Sequence, residues 1–306
     1  MAVNYGLGGF KDGAGFIYAT APEHEITIST QDEDTLCDLE YDVYDSLNAS
    51  RPSVSVLSLD LAGYWLVNYN ISTSGASGDD LTFSLSHEGG TAFQNGQQKF
   101  NSKAGDYWTT SGWAIIKILG SSEPTITLLV ANNSSTDNIT LADVNISAFR
   151  VGSLDGTGDY EAGIAFVNAY QNSSFNVGYA AVDTFYPLGE DLNLGHTFQV
   201  GFDNRKFTIE QPGFYYFAGS FSVSGSANDD LELGVFINGT NTENVQTSPK
   251  QAWNAKGGSV YQTSYNGLFQ LKKGDTLEPC VQNITDTTGN SAFQNTNLVL
   301  IRVGNI

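Results

Sequence analysis

The chain carries one pattern twice. The stretch GYWLVNYNISTSGASGDDLTFSL (Gly63–Leu85) aligns without a gap on GFYYFAGSFSVSGSANDDLELGV (Gly213–Val235). Gly63, Ser72, Ser74, Gly75, Asp79, Asp80 and Leu81 return as Gly213, Ser222, Ser224, Gly225, Asp229, Asp230 and Leu231. The closing segments SAFRVG (Ser147–Gly152) and VLIRVG (Val299–Gly304) match at an offset of 152. Solenoid repeats have periods of roughly 20–50 residues, whereas a period of about 150 is the size of a whole domain. A tandem duplication follows, so the fold must close within half the chain and be built twice.

Inside each copy the period is two. Trp65, Val67, Tyr69 and Ile71 stand at every second position, as do Tyr215, Phe217, Gly219, Phe221 and Val223 in the second copy. The opposite positions start apolar (Tyr64, Leu66; Phe214, Tyr216) and then turn polar (Asn68, Asn70, Ser72; Ala218, Ser220, Ser222). One face of this strand is therefore buried throughout and the other is apolar at one end only. Those four residues are candidates for a subunit contact, or for a second layer of the monomer core. No apolar pattern at helical spacing lasts more than two turns, and Gly, Asn, Ser and Asp punctuate the strands. The expected fold class is all-β: two tandem antiparallel jelly-roll (β-sandwich) domains from an internal duplication.

The expected organisation is a Gly-rich N-terminal arm over 1–22, a first jelly roll over 23–151, an acidic, Gly-rich linker over 152–163 and a second jelly roll over 164–306. The arm sets Phe10, Phe16, Ile17 and Tyr18 among glycines, a composition that suits attachment to a partner's surface.

Thirty-three acidic against 13 basic side chains give a net charge of −20. That surface repels phosphate backbones and anionic membranes, so neither nucleic acid nor a membrane is expected as a partner. Solubility in a crowded medium, a basic partner or cation binding would each account for it. The N-terminus has no charged n-region or apolar h-region of a signal peptide, and no stretch approaches 18 apolar residues. The N-x-S/T triplets at Asn70, Asn133, Asn138, Asn172 and Asn283 then read as a by-product of composition. Cys37 and Cys280 fall at non-equivalent places in the repeats, which speaks against a repeated disulfide framework and for two free, buried thiols.

No G-x-S-x-G elbow, Walker A loop, H-E-x-x-H helix or C-x-x-C pair occurs, and His24, His87 and His196 stand alone. The shared residues of the two copies are turn glycines, serines and core positions. No enzymatic activity, catalytic residue, cofactor or metal is expected. The recurring pairs Asp79-Asp80 and Asp229-Asp230 read as solvated turns that begin a strand, with a hard cation as the other option.

In the second copy, FTIEQPGFYYF (Phe207–Phe217), INGT (Ile237–Thr240) and LFQLKKGDTL (Leu268–Leu277) follow one another. Together they resemble the globular head of complement component one-q and the wider tumour-necrosis-factor jelly-roll superfamily. Pro212-Gly213 supplies the tight turn before Tyr215 and Phe217, and Gly274-Asp275 ends a strand. The first copy keeps the glycine and aromatics of LSLDLAGYWLV but has Ala62 in place of proline. The resemblance implies compact homotrimers joined through one flank of each jelly roll. By analogy with jelly-roll trimers in phage particles, the expected role is that of a virion structural protein. The first choice is a trimeric decoration (cement) protein on the outer capsid surface of a bacteriophage, made in the host cytoplasm and bound to other capsid proteins. A double-jelly-roll major capsid protein, a receptor-binding head or tail-fibre tip and a secreted adhesin-like module are the alternatives.

Overall fold

The alternation seen in the sequence becomes strands wherever it is strong. The computed structural model describes residues 14–305 apart from 54, 88–92, 94–95, 103–105, 120–124, 156–159, 189–191, 204, 227–228, 240–244, 255–258 and 286–288. It divides into two compact units, Met1–Ile164 and Ala165–Ile306, and no helix occurs among the described residues.

Unit 1 opens with short strands: β1 (Phe16–Ala21), β2 (His24–Ile26), β3 (Thr35–Leu36), β4 (Asp42–Leu47), β5 (Ala49–Ser53) and β6 (Val56–Leu59). The longer strands follow: β7 (Gly63–Ser74), β8 (Asp80–His87), β9 (Gln98–Asn101), β10 (Trp108–Ile118), β11 (Thr125–Asn132), β12 (Ile139–Leu154) and β13 (Tyr160–Gly163). One antiparallel sheet has the order β10-β7-β12-β1-β4, with β2 and β13 also on β12; the other runs β5-β6-β11-β8-β9, with β3 on β11. From β7 to β12 the chain passes between the two sheets at nearly every connection, which is the winding of a jelly roll.

Unit 2 repeats this strand for strand except for β13, which has no counterpart among its described residues. Its elements are β14 (Phe166–Gln171), β15 (Phe175–Gly178), β16 (Tyr186–Pro187), β17 (Asn193–Phe198), β18 (Val200–Asp203) and β19 (Lys206–Ile209). Then come β20 (Gly213–Ser224), β21 (Asp230–Ile237), β22 (Val245–Asn254), β23 (Tyr261–Leu271), β24 (Thr276–Asn283) and β25 (Asn290–Gly304). The sheets are β17-β14-β25-β20-β23 with β15 on β25, and β18-β19-β24-β21-β22 with β16 on β24. The two matched segments thus become β7-β8 and β20-β21, at the same place in both topologies.

Each sandwich buries the inward residues of both sheets. Trp65, Val67, Tyr69 and Ile71 of β7 meet Leu81, Phe83 and Leu85 of β8 in one core. Tyr215, Phe217, Phe221 and Val223 of β20 meet Leu231, Leu233 and Val235 of β21 in the other. The indole of Trp65 donates to the Leu61 carbonyl at 3.0 Å, and the hydroxyl of Tyr215 donates to the Gln211 carbonyl at 2.6 Å. Two unlike rings therefore satisfy the same buried polar requirement at the same position.

The shared glycine and arginine form a clamp at the start of β7 and β20. A Cβ on Gly213 would lie 2.5 Å from both the Gly304 carbonyl oxygen and Arg302 Nε; Gly63 is blocked in the same way by the Gly152 carbonyl and Arg150. Arg302 Nε donates to the Pro212 carbonyl at 2.9 Å, and Arg150 donates to the Ala62 carbonyl. Loss of the proline at Ala62 is tolerated because the clamp needs only the carbonyl.

Two expectations of layout change. Phe16, Ile17 and Tyr18 are not part of an attachment arm: β1 lies between β12 and β4, and Ile17 sits in the core. Three alternating residues suffice for a strand when both neighbours supply hydrogen-bond partners, and the flanking glycines obscure this. Phe10 lies outside the described residues. The stretch 152–163 is likewise no open linker where it is described, since β12 runs on to Leu154 and β13 pairs back onto it.

Candidate assembly surface

Strand β7 turns its even-numbered residues away from the core. Register places Ile115 of β10, Leu66 of β7, Phe149 of β12, Phe16 of β1 and Leu47 of β4 side by side, one apolar row across five strands. In unit 2 the same register gives Leu268 of β23, Tyr216 of β20, Ile301 of β25, Phe166 of β14 and Phe198 of β17. Both rows are apolar at every position, although only Phe16 and Phe166 are identical between them. A strip of this kind on the outside of a sandwich is unlike an ordinary solvated antiparallel face, where the outward residues are polar.

One step further along β7 the face turns polar and satisfies itself. Asn68 donates to the Gly112 carbonyl at 3.1 Å, and Asn70 donates to Asn68 Oδ1 at 2.8 Å. In unit 2, buried Asn168 donates to the Leu298 carbonyl at 3.1 Å. The apolar band is thus bounded on one side by polar side chains that hydrogen-bond to groups of their own sheet.

Of the four residues picked out in the sequence, Leu66 and Tyr216 are members of the two rows, and Tyr64 and Phe214 stand one step along. Leu66 is only 1% exposed, so it offers no surface to a neighbour; Tyr64 and Tyr216 are half-buried, and Phe214 is exposed. Lys117 Nζ sits 5.8 Å from the Tyr64 ring centroid, a cation–π contact. Burial raises the Tyr216 phenol above its ordinary range. Ile115, Phe149, Phe16, Leu47, Leu268, Ile301, Phe166 and Phe198 were missed as row members because each lies on a different strand, and only register brings them together.

A β-bulge shapes the open end of the first row. The pairing of β1 with β4 skips Tyr44, between Tyr18↔Asp45 and Ala19↔Val43. The extra residue lets both Asp45 and Tyr44 face outward. The Tyr18 and Tyr44 rings lie 5.8 Å apart at 37°, and the Tyr18 hydroxyl donates to Asn145 Oδ1 at 3.2 Å.

The remaining candidates resolve into structural roles. Asp79 does not belong to a solvated turn. It is buried, and its carboxylate accepts from the Ala76 amide at 2.8 Å and the Ser135 hydroxyl at 2.9 Å. Asp80 pairs with Lys99 at 2.7 Å. No group of three His, Cys, Asp or Glu side chains suited to a metal occurs among the described residues. The triplet at Asn283 is a turn device: buried Asn283 accepts from the Thr285 amide at 2.9 Å, while the Thr285 hydroxyl accepts from the Asp230 amide at 2.8 Å. Cys37 and Cys280 are free and buried, and burial pushes both thiols up.

No protein-family profile matches the chain, and no curated protein sequence matches it. Similar solved structures include the tumour-necrosis-factor protein Eiger from S. frugiperda, 12% identical, which covers 46% of this chain and 95% of its own at a TM-score of 0.35. Murine APRIL is 7% identical, with 46% of this chain and 99% of its own covered at a TM-score of 0.32. The tandem CBM22-1–CBM22-2 domain of Xyn10C from Paenibacillus barcinonensis is 12% identical and covers 96% and 95% at a TM-score of 0.24.

Proposed function

We propose that this chain is a non-enzymatic structural protein of a virion, a homotrimeric decoration (cement) protein on the outer surface of a bacteriophage capsid. The observation that carries the reading is the apolar row at the same register in both units. A duplicated strip of five apolar side chains, partly open to solvent, is a surface made for contact. Closed cyclic symmetry lets one such surface be covered on every copy without leaving an open end. Three copies around an axis would bury the exposed ends of the rows and present the acidic remainder outward, where it does not meet packaged genome. The acidic balance fits an outer position better than an inner one, because a phosphate-rich interior would repel it.

Attachment to other capsid proteins is assigned to no residue of β1, which is held within its own sheet. The reading is tested on particles. Mass spectrometry of purified, protease-resistant virions from producing cells should find this chain in stoichiometric proportion to a capsid protein. Cryo-electron microscopy should place it on the outer shell. Its absence from purified particles, or its presence only in the soluble fraction of the lysate, would overturn the assignment.

A further inference from the structure

The two rows are open at opposite ends. In unit 1 the open end lies over β12, β1 and β4: Phe149, Tyr18, Tyr44 and Leu47 are exposed, Tyr44 by 68%, whereas Leu66 and Ile115 are buried. In unit 2 the open end lies over β20 and β23: Phe214 and Leu268 are exposed, Leu268 by 62%, whereas Phe166 and Ile301 are buried. The charges beside the two open ends have opposite sign. Asp42 and Asp45 pair with Thr20 and Tyr18, so both stand on the outer face beside Tyr44. At the other end the outward alternation Leu268, Gln270 runs on to exposed Lys272, with exposed Lys273 beside it. In a chain with 13 basic residues against 33 acidic ones, two adjacent lysines at the margin of an apolar strip are a local reversal of sign.

We propose that the open end of unit 2 in one copy seats on the open end of unit 1 in a second copy. Leu268 and Phe214 lie against Tyr18, Tyr44 and Phe149, and Lys272 and Lys273 face Asp42 and Asp45. The inference rests on the self-association put forward above and adds its direction. Unlike ends meet, so the contact is heterologous: each copy gives one surface and receives on the other, and the assembly closes when the rotation divides a full turn. Like-on-like pairing of the unit 1 ends would set Asp42 and Asp45 against their own counterparts, which charge complementarity disfavours. The apolar centre supplies contact area, and the charges at its margin fix orientation.

Two variants of the full chain test the direction. Tyr44→Cys and Leu268→Cys proteins, mixed and treated with a mild oxidant, should give a covalent dimer that neither protein gives alone. Cys37 and Cys280 are buried and do not compete. Covalent dimer from Tyr44→Cys alone would overturn the proposal in favour of like-on-like pairing. An unlinked mixture that light scattering still shows as an oligomer would overturn the direction and leave self-association standing. An unlinked mixture that stays monomeric would overturn both. A charge exchange gives an independent readout. Asp45→Lys and Lys272→Glu should each raise the concentration for half-assembly by about tenfold, and together should return it to within about twofold. Failure of the pair to restore assembly contradicts the proposed contact.

Discussion

Gly213→Ala tests whether the clamp at the start of β20 holds the unit together. A Cβ at this position would stand 2.5 Å from the Gly304 carbonyl oxygen and 2.5 Å from Arg302 Nε. The arginine can withdraw, at the loss of its 2.9 Å hydrogen bond to the Pro212 carbonyl, a change of about 1 kcal/mol. The carbonyl belongs to β25, which pairs with β20 along its whole length, so relief there needs a backbone shift of about 1–3 kcal/mol. The sum is about 3 kcal/mol, which lowers the midpoint of a unit this size by roughly 6–12 °C. The control is Gly274→Ala. Gly274 has φ +89 and nothing within 4 Å of an added Cβ, so only backbone conformation opposes the change, at about 1 kcal/mol. Differential scanning calorimetry of both variants measures the contrast. A Gly213→Ala protein no less stable than Gly274→Ala would refute the steric reasoning and with it the explanation of why this glycine recurs.

Three further outcomes follow from burial. Glu278 is 1% exposed, and burial raises its carboxyl pKa while Arg205 at 2.5 Å and Lys206 at 3.8 Å oppose the rise. A folded pKa above the unfolded one means that the native state holds the extra proton, so this group's contribution falls as pH rises from the ordinary carboxyl value of 4.5 through the folded pKa. Urea titrations across that window should show this slope in the natural chain and its loss in Glu278→Gln. Cys37 and Cys280 should resist Ellman's reagent in the folded protein and react together in denaturant; fast native labelling of either would contradict their burial. Deleting residues 2–22 removes β1 from between β12 and β4 and takes Ile17 from the core, so circular dichroism and proteolysis should show unit 1 unfolded. A truncated chain with unit 1 intact would restore the reading of these residues as an arm.

What was legible in the sequence is what both copies must keep for the same physical reason. Gly63 and Gly213 recur because a carbonyl and an arginine fill the space beside them, and Asp79 and Asp229 recur because both are buried where the loop meets β8 and β21. Tyr215 and Phe217, placed in the core by the Pro212-Gly213 turn, are there in full. The other two pieces of the superfamily resemblance meet in space: Asn238 of the INGT turn donates to Asp275 Oδ1 of the Gly-Asp turn at 2.8 Å.

Equivalences carried by the backbone left no trace in the sequence. The Cys37 amide donates to the Leu128 carbonyl at 3.0 Å just as the Leu188 amide donates to the Pro279 carbonyl at 2.8 Å. The cysteine is therefore a small core residue where the other copy has leucine, which is why no thiol recurs. Asn48 and Gln199 share a left-handed backbone (φ 51 and 52) with no likeness of side chain beyond an amide. The apolar rows were hidden for a related reason. Each strand contributes a single member, and sequence spacing says nothing about which residue of β12 lies beside Leu66.

The measurement that bears most directly on the account is the mass of the full chain in solution. Sedimentation equilibrium or light scattering at micromolar concentration, in a buffer of moderate salt, should give three times the chain mass of 32.9 kDa. Substituting Leu268 and Tyr44 together by aspartate should reduce that to a single chain with the fold retained, because both side chains are exposed and stand at the open ends of the two rows. A natural chain that stays at 32.9 kDa over this range, or a trimer unmoved by the double substitution, would contradict the claim that these sheet faces are assembly surfaces.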